Sequence, residues 1–278
     1  MGLLRAAVAL LGARARAARR IELAPGARIE RDLAYGSDPA QRLDVYLPPG
    51  RPSGSLLAIV HGGAWSIGDK ANPGVVAAKV NHWLSSGCVL ASLNYRLLPQ
   101  AGPLEQAQDV ARALALLQRQ AGTWGADPSR LVVIAHSSGA HLVALLAVDD
   151  ELRRQHGNPS WRATVLLDSA ALDVVGAMQA PHRPFFDRAF GSLPSDWQLA
   201  SPLHRLHASP APMLIVHAAD RADSAGQAAR FSAAVTAAGG RADMLPVSLS
   251  HTEINVTLGE PGDYTDQVDA FLRSVGVP

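Results

Sequence analysis

The chain has 278 residues, 48% of them hydrophobic and 18% charged, with a formal net charge of +1 at pH 7. That length and apolar content are enough for one domain with a large buried core. The near-neutral balance, with arginines scattered instead of gathered into a stripe, argues against nucleic acid as a partner.

Residues 1–20 are mostly Ala, Leu and Arg, and Leu3, Leu4, Ala7, Val8 and Leu11 recur on one helical face. A secretory signal calls for a longer apolar stretch and fewer arginines before its cleavage site, so the pattern predicts a basic amphipathic helix. This N-terminal unit, residues 1–27, either packs on the main domain, caps the mouth of its site or touches a membrane surface weakly. Residues 28–278 are expected to form the main domain. The chain has no run of 18 apolar residues, so no transmembrane helix and no stable membrane insertion are expected, and the expected location is the cytoplasm. The single Cys88 cannot form an internal disulfide and reads as core at the start of Val89-Leu90-Ala91.

Strand-like runs follow near Ile29–Ala34, Arg42–Leu47, Leu56–Val60, Val89–Asn94, Leu131–Ala135, Thr164–Leu167, Met213–His217 and Arg241–Val247. Helical patterns lie between the later ones, at Pro73–Ser85, Leu104–Gln120, Gly139–Val148 and Ser224–Ala238, and a final one covers Asp263–Ser274. Two antiparallel strands followed by strand–helix alternation predict an α/β fold with a mostly parallel eight-stranded sheet and helices on both faces. Sites in such sheets form at the carboxyl edge of the strands. The alternation breaks over Ser169–Pro212, which carries six prolines with Phe185, Phe186, Phe190 and Trp197. An insertion of that length is expected to make a small cap that shapes a pocket.

Two strand ends carry chemistry. Leu56–Val60 runs into His61-Gly62-Gly63-Ala64-Trp65, where adjacent glycines free the backbone to aim N–H groups inward. Leu131–Ala135 runs through His136 into Ser137, with the small residues Ala135 and Gly139 two positions away on each side. Small residues at those positions let strand and helix close up around a sharply turned serine, and the following N–H, that of Ser138, is placed to stabilise an oxyanion. Serine needs a base. Of ten histidines, His251 follows the last strand and precedes the final helix, in a predicted loop. His136 and His141 flank the serine and read as hydrogen-bonded packing groups. His204 and His207 lack a Cys or carboxylate cluster nearby, so no metal site is expected. The acid that orients the histidine is expected after Met213–His217, where Asp220 and Asp223 both stand; Asp168, ending Thr164–Leu167, is a third candidate.

Taken together, Asp44-Val-Tyr-Leu-Pro48, His61–Trp65 followed by Gly68-Asp-Lys70, Asn94-Tyr-Arg-Leu97, His136–Leu142 and Ser250-His251 resemble the α/β-hydrolase superfamily. Within it, the chain is most similar to small HGGxW-type esterases and kynurenine-formamidase-like members, over roughly Asp32 to Phe271. The resemblance implies oxyanion-hole donors at Gly63, Ala64 and Ser138, and a pocket lined by Trp65 with cap aromatics such as Phe185 and Phe186. Asp220, seven residues before Gln227, resembles the acid loop of many esterases; Asp223, opening a helix as Asp-Ser, resembles that of formamidase-like relatives. The expected activity is serine-dependent hydrolysis of a small-molecule carboxylic ester. An aryl formamide such as N-formylkynurenine is the alternative substrate, and a non-catalytic binding module is the alternative of another class. No cofactor is expected, and homo-oligomerisation stays open.

Overall fold

The computed structural model describes residue 21 and residues 23–278. The amphipathic helix expected over residues 1–20 lies outside the described residues. Eight strands form one sheet: β1 (Arg28–Ala34), β2 (Arg42–Leu47), β3 (Leu56–Val60), β4 (Val89–Leu93), β5 (Leu131–His136), β6 (Ala163–Leu167), β7 (Met213–Ala218) and β8 (Ala242–Val247). Their order across the sheet is β1-β2-β4-β3-β5-β6-β7-β8. The β1–β2 and β2–β4 pairs are antiparallel and all others are parallel.

The helices are α1 (Pro73–Ser85), α2 (Pro103–Gln120), α3 (Ser138–Val148), α4 (Asp150–Arg154), α5 (Val174–Gln179), α6 (Pro184–Phe190), α7 (Pro194–Leu199), α8 (Pro202–Arg205), α9 (Ala222–Ala237), α10 (His251–Val256) and α11 (Asp263–Ser274). Every residue of β3 to β7 is buried. This is why these strands read as unbroken apolar runs: helices cover both faces. The period-2 alternation divides them between two cores. Leu56, Ala58 and Val60 pack with Val110 and Leu114 of α2 and Leu142 and Leu145 of α3 on one face. Leu57 and Ile59 pack with Val76, Val80 and Trp83 of α1 and Phe271 and Leu272 of α11 on the other. Helix α3 is buried along its whole length, as its apolar sequence on every side requires.

Residues 169–212 fold into the four short helices α5 to α8, and three of them have proline in the first turn, where the missing N–H costs nothing. Helices of four to seven residues are too short to show a period, so only their prolines mark them in the chain. His251 is likewise corrected: it opens α10 instead of lying in a loop. Among the described residues no helix is long and apolar enough to cross a membrane.

Candidate active site

Between β5 and α3 only Ser137 remains to turn the chain, and it does so at φ 55° and ψ −120°. A non-glycine residue held there stores about 1–3 kcal/mol of strain, which the surrounding packing must hold in place. Its N–H donates to Leu167 O at 2.8 Å and its C=O accepts from His141 N–H at 3.1 Å, so both flanks of the turn are fixed. The turn demands glycine at 139: a Cβ there would lie 2.3 Å from His61 O and 2.8 Å from Val60 O. At 135 a methyl fits, and Ala135 is buried in the α2–α3 core. The Ser137 side chain is half-buried and lines a cavity of about 1000 Å³. Its hydroxyl has no protein hydrogen-bond partner among the described residues, leaving it free for a bound molecule.

The β3 loop forms the facing wall. Gly63, Ala64 and Trp65 have φ of 140°, 49° and 58°, a run of three consecutive positive-φ residues. Gly63 C=O ties the loop by accepting the N–H groups of Ser66 and Ile67, both at 3.0 Å. Glycine is required at 63, where a Cβ would lie 1.9 Å from Ile67 O. The N–H groups of Gly63, Ala64 and Ser138 have no protein acceptor among the described residues, and all three residues line the cavity. Three free donors beside one free hydroxyl are suited to stabilising negative charge on a substrate oxygen.

His251 also lines the cavity, with 38% of its side chain exposed. Its Nδ1 is 2.6 Å from Oδ2 of fully buried Asp168. Asp168 sits at the end of β6 with φ 49°, and its Oδ1 accepts from Ala218 N–H at 3.0 Å and from the Ser224 hydroxyl at 2.5 Å. Burial opposes the charge, but the hydrogen bonds from His251, Ser224 and Ala218 and the nearby Arg221 hold this carboxyl well below the usual carboxylate range. An ionised Asp168 can only accept, so Nδ1 carries the proton and Nε2 keeps its lone pair.

The carboxylate beside His251 is therefore Asp168, and neither Asp220 nor Asp223 hydrogen-bonds the imidazole. Asp223 instead accepts from Arg221 Nη2 at 3.1 Å and from Ser224 N–H at 2.8 Å, at the mouth of α9. Asp220 is exposed in the turn after β7. Chain order did not separate the three, because each lies between Ser137 and His251 in sequence. Arg221, whose sequence signal was nil, donates to Asp168 Oδ2 through Nη1.

Two buried groups hold His251 from behind. His136 donates Nε2–H to His251 O at 2.9 Å, and the rings lie 4.5 Å apart. Burial pushes His136 down to about 3, so the ring is neutral and does not compete for a proton. Lys79 of α1 places its Nζ against Val75 O at 2.9 Å and against Asn255 O and Oδ1 of α10 at 2.5 and 3.1 Å. Burial pushes the amine down to about 7.

Trp65 is buried, with its ring centroid 4.8 Å from Phe190, 5.7 Å from Phe186 and 6.2 Å from Phe185. Its Nε1–H donates to His141 Nδ1 at 3.2 Å, and His141 Nε2–H donates to Ala200 O at 2.7 Å, so one neutral histidine ties the aromatic cluster to the α7–α8 turn. Trp65, Phe185 and Phe186 all reach the cavity wall. Among the described residues there is no group of three or more His, Cys, Asp or Glu that would hold a metal ion.

Known proteins share this fold. Solved structures with the same fold include esterase B from Lactobacillus rhamnosis, at TM-score 0.76 and 19% identity over 98% of this chain and 92% of that one. Thermogutta terrifontis esterase 2, phosphonylated by sarin, aligns at TM-score 0.72 and 20% identity over 93% of this chain and 98% of that one. By sequence, the chain is similar to esterase LipC of Mycobacterium tuberculosis, 28% identical over 208 residues, 67% of this chain and 50% of that protein. It is also similar to the probable isoprenylcysteine alpha-carbonyl methylesterase ICME of Oryza sativa subsp. japonica, 30% identical over 140 residues, 49% of this chain and 33% of that protein. The chain thus spans about a third to a half of the length of these curated relatives. The BD-FAE family model matches residues 43–234, from β2 into α9, and so takes in the serine turn, the glycine loop and Asp168; the chain belongs to this α/β-hydrolase family.

Proposed function

We propose that the protein is a serine hydrolase that cleaves carboxylic esters of small or aromatic substrates through an acyl-enzyme intermediate. The observation that carries this reading is the meeting, around one cavity, of a free serine hydroxyl on a strained turn, a histidine backed by a buried ionised carboxylate, and three unsatisfied N–H groups. The Ser137 oxygen attacks the carbonyl carbon while His251 Nε2 takes its proton, and Asp168 stabilises the imidazolium that forms. The carbonyl oxygen becomes an oxyanion held by the N–H groups of Gly63, Ala64 and Ser138, each worth about 3–4 kcal/mol in comparable sites. The C–O bond then breaks and the leaving alcohol receives the proton from His251. Water, deprotonated by the same imidazole, attacks the acyl-serine, and collapse of the second tetrahedral intermediate releases the acid and restores Ser137.

Because the hydroxyl has no hydrogen-bond partner among the described residues, the serine–histidine contact is expected to form as substrate binds. The apolar wall of Trp65, Phe185 and Phe186 suits an acyl or aryl group, and the relatives named as esterases favour an ester bond over a formamide. A panel of p-nitrophenyl esters of increasing acyl length beside N-formylkynurenine tests the choice. The esters are expected to be the better substrates. A preference for the formamide above tenfold in kcat/KM, about 1.4 kcal/mol of transition-state discrimination, would overturn it.

A further inference from the structure

The Oδ2 atom of Asp168 serves two donors. It accepts from Nδ1 of His251 at 2.6 Å and from Nη1 of Arg221, and Nη1 lies 2.8 Å from Nδ1 itself. With Oδ1 taken by Ala218 N–H and the Ser224 hydroxyl, the carboxylate has four donors and no spare acceptor site. Arg221 is anchored on its outer side by Asp223 and lines the cavity with 30% of its side chain exposed. Burial disfavours its charge, yet Asp168 and Asp223 outweigh that and raise its pKa, so it is a permanent cation.

The hydrolytic cycle does not call for a cation at this place. An imidazolium on His251 would stand against a guanidinium while drawing on a carboxylate that the guanidinium already partly neutralises. We propose that Arg221 is a positioning residue that sets the working pH of the His251–Asp168 pair: it fixes Asp168 ionised and aimed at Nδ1, and by disfavouring the imidazolium it keeps the unliganded enzyme in its active, neutral-histidine form to lower pH. The inference rests on the reading of His251 as the base.

The other groups facing the pair do not supply this effect. His136, from the end of β5, is held neutral by burial. Lys79, from α1, spends its ammonium on Val75 O and on Asn255 of α10. Tyr264, from α11, donates to Ile254 O and is kept un-ionised by burial. Asp223, in the first turn of α9, pairs with the outer nitrogen of Arg221.

The test is the pH profile of kcat/KM for one neutral ester, with product measured by chromatography, in the parent, Arg221→Gln, Arg221→Lys and Asp223→Asn. In Arg221→Gln the acid-side midpoint is expected to rise by about half a pH unit or more, while Arg221→Lys, which keeps the charge, stays near the parent. Asp223→Asn leaves the guanidinium less neutralised and is expected to lower the midpoint. Coincident acid limbs for the parent and a folded Arg221→Gln would overturn the proposal, as would a lysine variant displaced as far as the glutamine one. If Arg221→Gln does not fold, the Asp223→Asn profile decides, and a midpoint unmoved or raised counts against the proposal. A parent with no esterase activity would sink this inference together with the functional reading, whereas an active parent with unmoved limbs sinks the inference alone.

Discussion

Nδ1 of His251 and Oδ2 of Asp168 stand 2.6 Å apart although 83 positions separate the two residues in sequence. The contact joins the end of β6 to the first residue of α10, across the β7 strand end that supplies Ala218 N–H to the same carboxylate. Replacing Asp168 by Asn keeps the shape but removes the charge and permits the wrong imidazole tautomer. Asp168→Asn is expected to lower kcat by about 10³–10⁴-fold. Asp220→Asn should stay within about twofold of the parent, and Asp223→Asn within about tenfold, because neither carboxylate meets the imidazole. Steady-state kinetics of the three variants checks this, and a large loss confined to Asp220→Asn or Asp223→Asn would contradict the assignment.

Gly139 and Ala135 flank the serine turn symmetrically in sequence but not in space. A Cβ at 139 would meet His61 O at 2.3 Å, whereas the Ala135 methyl already sits in the core. Gly139→Ala is expected to cost about 1–3 kcal/mol of stability and to lose most activity, since the β3 loop must move with His61. Ala135→Gly should cost no more than about 1 kcal/mol through chain entropy and keep activity within a few-fold. Thermal denaturation paired with an ester assay separates the two outcomes.

His136 and His141 are pushed down by burial to about 3 and about 4, from the ordinary 6.5. Their folded forms refuse a proton that the unfolded chain accepts, so the unfolded state binds more protons between pH 6.5 and those values. Stability is therefore expected to fall as pH drops through that window, by about 2 kcal/mol for each ring at pH 5. Asp168 acts lower on the scale: its depressed pKa gives stability above the unfolded carboxylate pKa, lost only as pH falls through its own lower value. Urea denaturation at pH 7 and pH 5 checks the histidine contribution, and His141→Gln should flatten the dependence between them. An equal loss in parent and variant would assign the acid sensitivity to other groups.

Much of the scaffold was legible in the sequence for a physical reason. Strands β3 to β7 are buried on both faces, so each is a short apolar run ending where the chain must turn, and the sheet edge follows from their order. Ser137 and the 61–65 loop were legible because close approach leaves its mark in small residues. The acid was not, because what makes Asp168 the partner is a left-handed φ of 49° and four donors brought from β7, α9, α10 and the turn before α9. Arg221 was invisible for the same reason: its meaning comes only from what the fold lays beside it. The cap helices escaped periodicity because none exceeds two turns.

The most direct test of the account is covalent trapping of the nucleophile. The parent, Ser137→Ala and Ser138→Ala are each treated with a fluorophosphonate probe, and the labelled peptide is identified by mass spectrometry beside heat-denatured controls. The account predicts one adduct, on Ser137, in the parent and in folded Ser138→Ala, with none in Ser137→Ala or after denaturation. Labelling that persists unchanged in Ser137→Ala, or that maps to another residue in the parent, would contradict it.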